Sequence, residues 1–530
     1  MNKYIKFSML IVVIFSLYGC YKDKGNYDYN NINEIIFDSI KIEPSASVQV
    51  GEAVNMHAYI TNTISENEND LKFEWYLSGN GDSTLNLVAS GKDVENVVFD
   101  LNAGTYYFFL KVTDTKTGVS FYSNRIEFKY NNDISTGFLI MSDVNGETSL
   151  NFLNNKAGEF VLRSIKPGGI PALGAPICVA CFDDANGYGG NPQGLNKYTV
   201  AIITETGAYG LLYSNLSYST NYNLDKPSSI LGKKPDNFAV KELVMPIFVN
   251  RNNRTSGAAL LRDQDGNFMW YQVGPAQSYK WAYNTFVNRL NDTVFKVSDK
   301  VAFFAYGSQA SANVYFNEDK KSFVKQPLVG PVCSRYTTGQ ETLFPFNNTG
   351  YNLIWMGGKR VIASETEGTV FAVVEKNNTY NLLRFLSNGE QKEITDITAL
   401  PEIKNVKNFI LNSENDLARN AFLYYATDTE IYVYNISDKS IHKVFTAPTG
   451  QKITFTKNQM LSDWGYDHIW VATYDPSAPA DKCGTFEVYK MEEVTGNLTL
   501  ATRRNNKDEI KNLRWEKEFG KIVSVSVKMR

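Results

Sequence analysis

Strand-like runs recur along most of this chain, and that repetition restricts its fold more than any other feature. Runs open near Gly137 (GFLIMSD), Tyr198 (YTVAIIT), Ser256 (SGAALLRD), Val301 (VAFFAYG), Thr369 (TVFAVVE), Ala421 (AFLYYATD) and His468 (HIWVATYD). Most are followed by a short polar turn and a second run, as in TSLNFLN, GLLYSN, NFMWYQV, YNLLRFL, EIYVYN and TFEVYK. They are rich in β-branched and aromatic residues and bounded by Gly, Asn and Asp, the pattern of strands and hairpins. The starts lie 45 to 68 residues apart, and residues 132–530 divide into about seven units of roughly 57 residues. A single sandwich is too small for this span and a solenoid has a tighter period, so the pattern predicts a β-propeller with four-stranded blades, about seven of them. The final KIVSVSVKM alternates and places Val523, Val525, Val527 and Met529 on one face. A terminal strand of that kind completes the first blade and removes an open edge.

Residues 34–131 read differently. About seven short strand-like runs with regular turn signals predict an immunoglobulin-like sandwich. Trp75, in LKFEWYLSG, is placed between its two sheets. The stretch AGTYYFFLKVTDTKTG, residues 103–118, resembles the PKD (polycystic kidney disease) domain pattern, with alternate residues after Tyr106 facing the core. Asp114 within it is read as a turn cap. The fold class is therefore all-β, an Ig/PKD-like sandwich followed by a propeller.

The N-terminus carries an address. Lys3 and Lys6 precede the apolar run Phe7–Leu17, too short to span a bilayer, which takes ~20 residues, but suited to a secretory signal. Leu17-Tyr18-Gly19-Cys20 resembles a bacterial lipobox: a thiol to be acylated, preceded by a small residue that fits the peptidase. Residues 1–19 are expected to be removed, leaving Cys20 as the lipid anchor. Two or more acyl chains hold a membrane firmly, since each buried methylene contributes ~0.8 kcal/mol. Residues 20–33, polar and tyrosine-rich, are read as a flexible tether. Losing two lysines takes the net charge from −3 to −5. Without a basic block or stripe, nucleic acid is not expected as a partner.

Four further cysteines, Cys178, Cys181, Cys333 and Cys483, allow three pairings in an exported protein and are candidates for structural disulfides or inert thiols. The CxxC of Cys178 and Cys181 lacks the second ligand pair that zinc needs. It also lacks the βαβ context of a thioredoxin motif. In an extended strand residues three apart face opposite sides, so a local bridge requires a turn.

No catalytic or cofactor motif stands out. GxSxG, HExxH, a P-loop and GxGxxG are absent, and His57, His442 and His468 share no motif. Asp263-Gln264-Asp265-Gly266-Asn267 has the oxygen density of a calcium loop with its glycine misplaced, and is read as a hairpin turn. GGNPQG, residues 189–194, precedes a strand and is read as a loop. Neither a metal nor a cofactor is expected. Of the propeller's tryptophans (Trp270, Trp281, Trp355, Trp464, Trp470, Trp515), most are assigned to core. Trp281 (SYKWAYN) and Trp464 (SDWGYDH) lie in loop-like contexts and are the candidate exposed aromatics for a ligand or partner.

Cys20 followed by YKDKGNYDY, then NEI and a PKD-like module, resembles the PKD-like lipoprotein family of Bacteroidota. The resemblance implies an outer-membrane lipoprotein, an accessory of SusC/SusD-type TonB-dependent importers that works beside other surface lipoproteins. Lys22 and Lys24 flank Asp23 where surface-export signals are richer in acids, so surface display and periplasmic retention both stay open. The expected function is a non-enzymatic binding or scaffold role in uptake of oligosaccharides or peptides. The alternative is a surface propeller hydrolase or lyase acting on glycans or peptides.

Overall fold

A computed structural model describes residues 33–528, apart from short interruptions and the longer segments 182–197, 225–238, 245–257, 273–285, 305–311, 360–366, 413–420 and 462–465. The chain divides into two compact units, the first closing at Tyr130 and the second running from Asn131. Cys20, Trp281, Trp464, Met529 and the segment 189–194 lie outside the described residues.

The first unit is a two-sheet sandwich. One sheet pairs Ile35–Glu43, Ala53–Asn62 and Asp93–Val98. The other runs Ser47–Gln49, Ile126–Asn131, Gly104–Asp114, Leu71–Gly79 and Asn86–Ser90, with Ser120–Tyr122 beside Gly104–Asp114. Trp75 is fully buried and its indole N–H donates to the carbonyl of Gly91 at 2.9 Å, which satisfies the one polar atom this ring brings into the core. Phe108, Leu110 and Val112 alternate inward against Phe128 and Tyr130. Asp114 caps the following turn, accepting from the backbone N–H groups of Lys116 and Thr117.

Among the described residues of the second unit, seven sheets follow one another as blades, beside two small pairs, Arg289–Leu290 with Thr293–Val294 and Thr502–Arg504 with Ile510–Asn512. Blade 1 holds Gly137–Val144, Glu147–Lys156 and Glu159–Ile165, and the C-terminal strand Lys521–Lys528 pairs antiparallel with Gly137–Val144 as its innermost strand. Blade 2 is Pro176–Cys181, Tyr198–Thr204 and Gly207–Leu212. Blade 3 is Val240–Val244, Ala258–Asp263 and Phe268–Gln272. Blade 4 is Ala312–Asn317, Ser322–Pro327 and Ser334–Arg335, with Ala302 bridged to Val314 on its inner side. Blade 5 is Asn352–Lys359, Thr369–Lys376, Thr379–Leu386 and Gln391–Asp396. Blade 6 is Asn408–Leu411, Phe422–Ala426, Glu430–Asn435 and Ile441–Thr446. Blade 7 is Lys452–Leu461, Tyr466–Tyr474, Gly484–Met491 and Leu498–Leu500, with Arg514–Phe519 also paired to Gly484–Met491.

The second strand of every blade is buried on both faces, and its alternation glues the ring together. In blade 1, Leu139 and Met141 pack with Val200 and Ile202 of blade 2, while Phe138 and Ile140 pack with Trp470 and Ala472 of blade 7. Ala201 and Ile203 meet Leu261 of blade 3, and Leu260 meets Tyr315 of blade 4. Val314 and Phe316 meet Val370 and Ala372 of blade 5, whose Phe371 and Val373 meet Leu423 and Tyr425 of blade 6. Phe422 and Tyr424 then meet Ile469 and Val471 of blade 7. Seven clusters, each shared by two neighbours and the last joining blade 7 to blade 1, close the ring. Each fully buried large side chain contributes about 1.5–3 kcal/mol of transfer free energy, so closure removes the two apolar faces an open ring would leave in water.

Two expectations need correcting. The closing strand carries a register shift opposite Met141 and Ser142, and Ile522, in place of Val523, joins Val525 and Val527 on the face toward blade 7. The bulge inserts one residue and flips the alternation before it. In the fourth unit the run near Val301 is the inner edge, and the second strand is Ala312–Asn317 (ANVYFN).

Candidate ligand-binding face and lumen

Inner strands run side by side and parallel. The N–H groups of Val179 and Cys181 in blade 2 donate to the hydroxyls of Ser524 and Ser526 in blade 1, at 3.2 and 2.8 Å. Asn408 of blade 6 donates to the carbonyl of Thr456 in blade 7 at 2.9 Å, and Asn458 of blade 7 returns a bond to the carbonyl of Leu411 at 2.9 Å. An inner strand has no partner on its lumen side, so its edge groups would otherwise be unpaired; short polar side chains of the adjoining blade satisfy them.

Parallel inner strands give the ring two unlike ends. Tight turns join second to third strands at one end, as at Asn145-Gly146 and Asn377-Asn378, whose positive φ angles suit two-residue hairpins. At the other end the inner strands hand over to the second strands through 182–197, 245–257, 305–311, 360–366, 413–420 and 462–465. Trp464 belongs to the last of these connections. Trp281 belongs to 273–285, which leaves the C-terminal end of Phe268–Gln272, a strand parallel to the inner strand of blade 3. Both connections therefore start from the same end of the ring.

The lumen wall holds a cation that sequence reasoning missed. Lys457, midway along the inner strand of blade 7, is solvent-accessible yet surrounded by the ring. Desolvation holds its ammonium below the usual lysine range, and Cys181 and then Cys178 of blade 2 act on it electrostatically in the opposite sense. Its Nζ lies 5.7 Å from the centroid of the Trp470 ring. No carboxylate pairs with it among the described residues. Further round the ring, half-buried Trp355 lies across Gly357, where a Cβ would come within 2.6 Å of the indole.

Cys178, Cys181, Cys333 and Cys483 are free thiols, not joined to one another. Cys178 and Cys181 sit in one continuous strand, Cys181 packed toward blade 1 and Cys178 toward blade 3, and no turn brings their sulfurs together. Burial pushes both thiols up to about 12. Cys333 lies between blades 3 and 4, where burial pushes it up to about 12 and its thiol donates to the carbonyl of Val287 at 3.0 Å. Cys483 is buried and contacts the carbonyl of Ala480 at 3.3 Å.

The histidines stay apart. His57 meets Asp93 at 3.0 Å in the sandwich, His442 meets Asn497 at 3.0 Å, and His468 is buried in blade 7. Asp263 accepts from the N–H groups of Asp265 and Asn267 and caps the hairpin of blade 3. Among the described residues no group of three His, Cys, Asp or Glu side chains comes together as metal ligands would. At the tight-turn end a cleft of about 380 Å³ lies between blades 3 and 4, lined by Arg262, Lys296, Asp299, Glu318, Asp319 and Lys321 among others. Its charges are largely engaged with each other or with neighbours: Arg262 with Glu242 at 3.6 Å, Lys321 with Glu318 at 2.8 Å, and Asp299 with Lys300. Burial, then the nearby Asp299, raises the carboxyl of Glu242.

Residues 20–168 match the PKD-like family, a span that covers the sandwich and the first three strands of blade 1 in chain order. No curated protein matches the chain. Among solved structures, a quinonprotein alcohol dehydrogenase-like protein from Bacteroides thetaiotaomicron aligns over 90% of this chain and 95% of its own, with 11% identity and a TM-score of 0.44. The extracellular domain of a one-component system from the same organism covers 91% of this chain and 71% of its own, with 10% identity and a TM-score of 0.31. The β-propeller domain of Cps50 (Swd1) from Myceliophteria thermophila covers 64% and 96%, with 11% identity and a TM-score of 0.34. The sheet order and the seven interblade clusters themselves carry the propeller assignment.

Proposed function

We propose that this chain is a lipid-tethered, non-enzymatic binding subunit of a SusC/SusD-type outer-membrane importer, gripping an oligosaccharide, a peptide or the importer itself with one end of its propeller. The observation that carries this is the asymmetry of the ring. The inner strands all end on one side of the ring, where residues in the inner-to-second intervals are most numerous, and a rigid scaffold that carries its intervening segments on one face is a usual layout of a binding protein. The lipobox at Cys20 and the PKD-like match over 20–168 support the tether and the setting.

The reading is tested in two steps. Cys20→Ala should release the protein from the outer-membrane fraction, and affinity purification of the wild type from detergent-solubilised membranes should recover importer components. Recovery of none removes the importer role. The purified protein is then applied to glycan and peptide arrays, and Trp464→Ala and Trp281→Ala should weaken capture by about 5- to 100-fold, the weight of one aromatic contact. Turnover of any array member would overturn the non-enzymatic role in favour of a surface hydrolase or lyase.

A further inference from the structure

Charge on the inner strands is strongly one-sided. The six named inner strands carry Lys241, Lys359, Lys452, Lys457, Lys521 and Lys528 against the single acid Glu242, in a chain whose 53 basic residues are outnumbered by 56 acidic ones. Lys359 and Lys528 are the last residues of their strands, at the end from which the long connections leave, and both are buried. Lys457 stands deeper. It reaches the lumen from the blade 7 strand whose neighbour strand presents Trp470, with no carboxylate among the described residues to neutralise it. A cation enclosed by apolar blade walls has its field focused and concentrates counter-ions.

We propose that the propeller lumen is an oxyanion site in which Lys457 receives a carboxylate of the ligand, so that the ligand class is acidic. This deepens the binding role above and rests on it. The lysine ammonium supplies three donors, and Trp470 backs it on one side. A uronic-acid sugar and an acidic peptide offer the same group, and the experiment separates them.

Isothermal titration of the full-length protein in detergent uses trigalacturonate, triglutamate and maltotriose as probes, with Lys457→Gln and Lys457→Arg as variants and thermal melts to verify folding. Binding of an acidic probe should weaken at least about tenfold in Lys457→Gln, as losing a charged hydrogen bond requires, and be retained in Lys457→Arg. Whichever acidic probe binds identifies the source of the carboxylate. Acidic-probe binding unchanged in a folded Lys457→Gln, or binding of maltotriose alone, overturns the lumen site and leaves the wider binding role standing. Binding of no probe overturns the lumen site, and the array experiment then decides the wider role separately.

Discussion

Asp114 and Asp475 show how single residues here serve turns and ion pairs. The backbone N–H of Thr117 is the main cause holding Asp114 below the ordinary carboxylate range. For Asp475 it is the ammonium of Lys517 at 2.8 Å, followed by Ser477. Both carboxyls titrate lower folded than unfolded, so their contribution is fully present above about pH 4 and is lost as pH falls through their folded values. Asp475→Asn should lower stability at neutral pH and flatten the acid limb of a melting-temperature profile. Since the Lys517 partner of Asp475 is well exposed, the effect should be modest and reduced by salt. The cysteines give a second residue-scale outcome: buried and with thiols pushed up to about 12, Cys181 and Cys333 should react with a disulfide reagent only after unfolding. Labelling of native protein at the rate of an exposed thiol would contradict that burial. Asp114, Asp263 and Trp75 were legible in the sequence because each acts within a turn or an alternating strand. Lys457 was not, because a lone lysine in KITFTKNQML acquires its setting only when blades 1 and 2 stand beside it.

The C-terminal strand is the decisive element. Lys521–Lys528 pairs with Gly137–Val144, places Val525 and Val527 between blades 1 and 7, and offers Ser524 and Ser526 to blade 2. Ending the chain at Gly520 should therefore abolish cooperative unfolding of the propeller and expose the blade 1 and blade 7 faces to limited proteolysis; an unchanged melt would contradict closure by this strand. Gly484→Ala tests the same neighbourhood, because a Cβ there would stand 2.0 Å from the carbonyl oxygen of Gly520. A loss of about 1–3 kcal/mol in chemical denaturation is expected from such overpacking. Second and third strands were readable as apolar hairpins because burial on both faces makes their sequences continuous in apolar residues. Inner strands were harder to read, being interrupted by Ser, Thr, Asn and Lys that face edges and lumen.

Across the whole molecule, two units with separate cores divide the work. The sandwich has Trp75, Phe108 and Phe128 at its centre, and the propeller has seven shared clusters of its own. Residues 33–130 expressed alone should therefore unfold cooperatively in calorimetry, and a non-cooperative melt would show that the sandwich depends on the rest of the chain. The sequence by itself determined the all-β class, the sandwich-then-propeller order and the repeat length, because strand periodicity and turn chemistry are local properties of neighbouring residues. Only the tertiary structure decided the ring's closure, the free state of four cysteines, the parallel run of the inner strands and the enclosure of Lys457. Those depend on which strands stand side by side, and residues separated by hundreds of positions along the chain become neighbours only when the blades close.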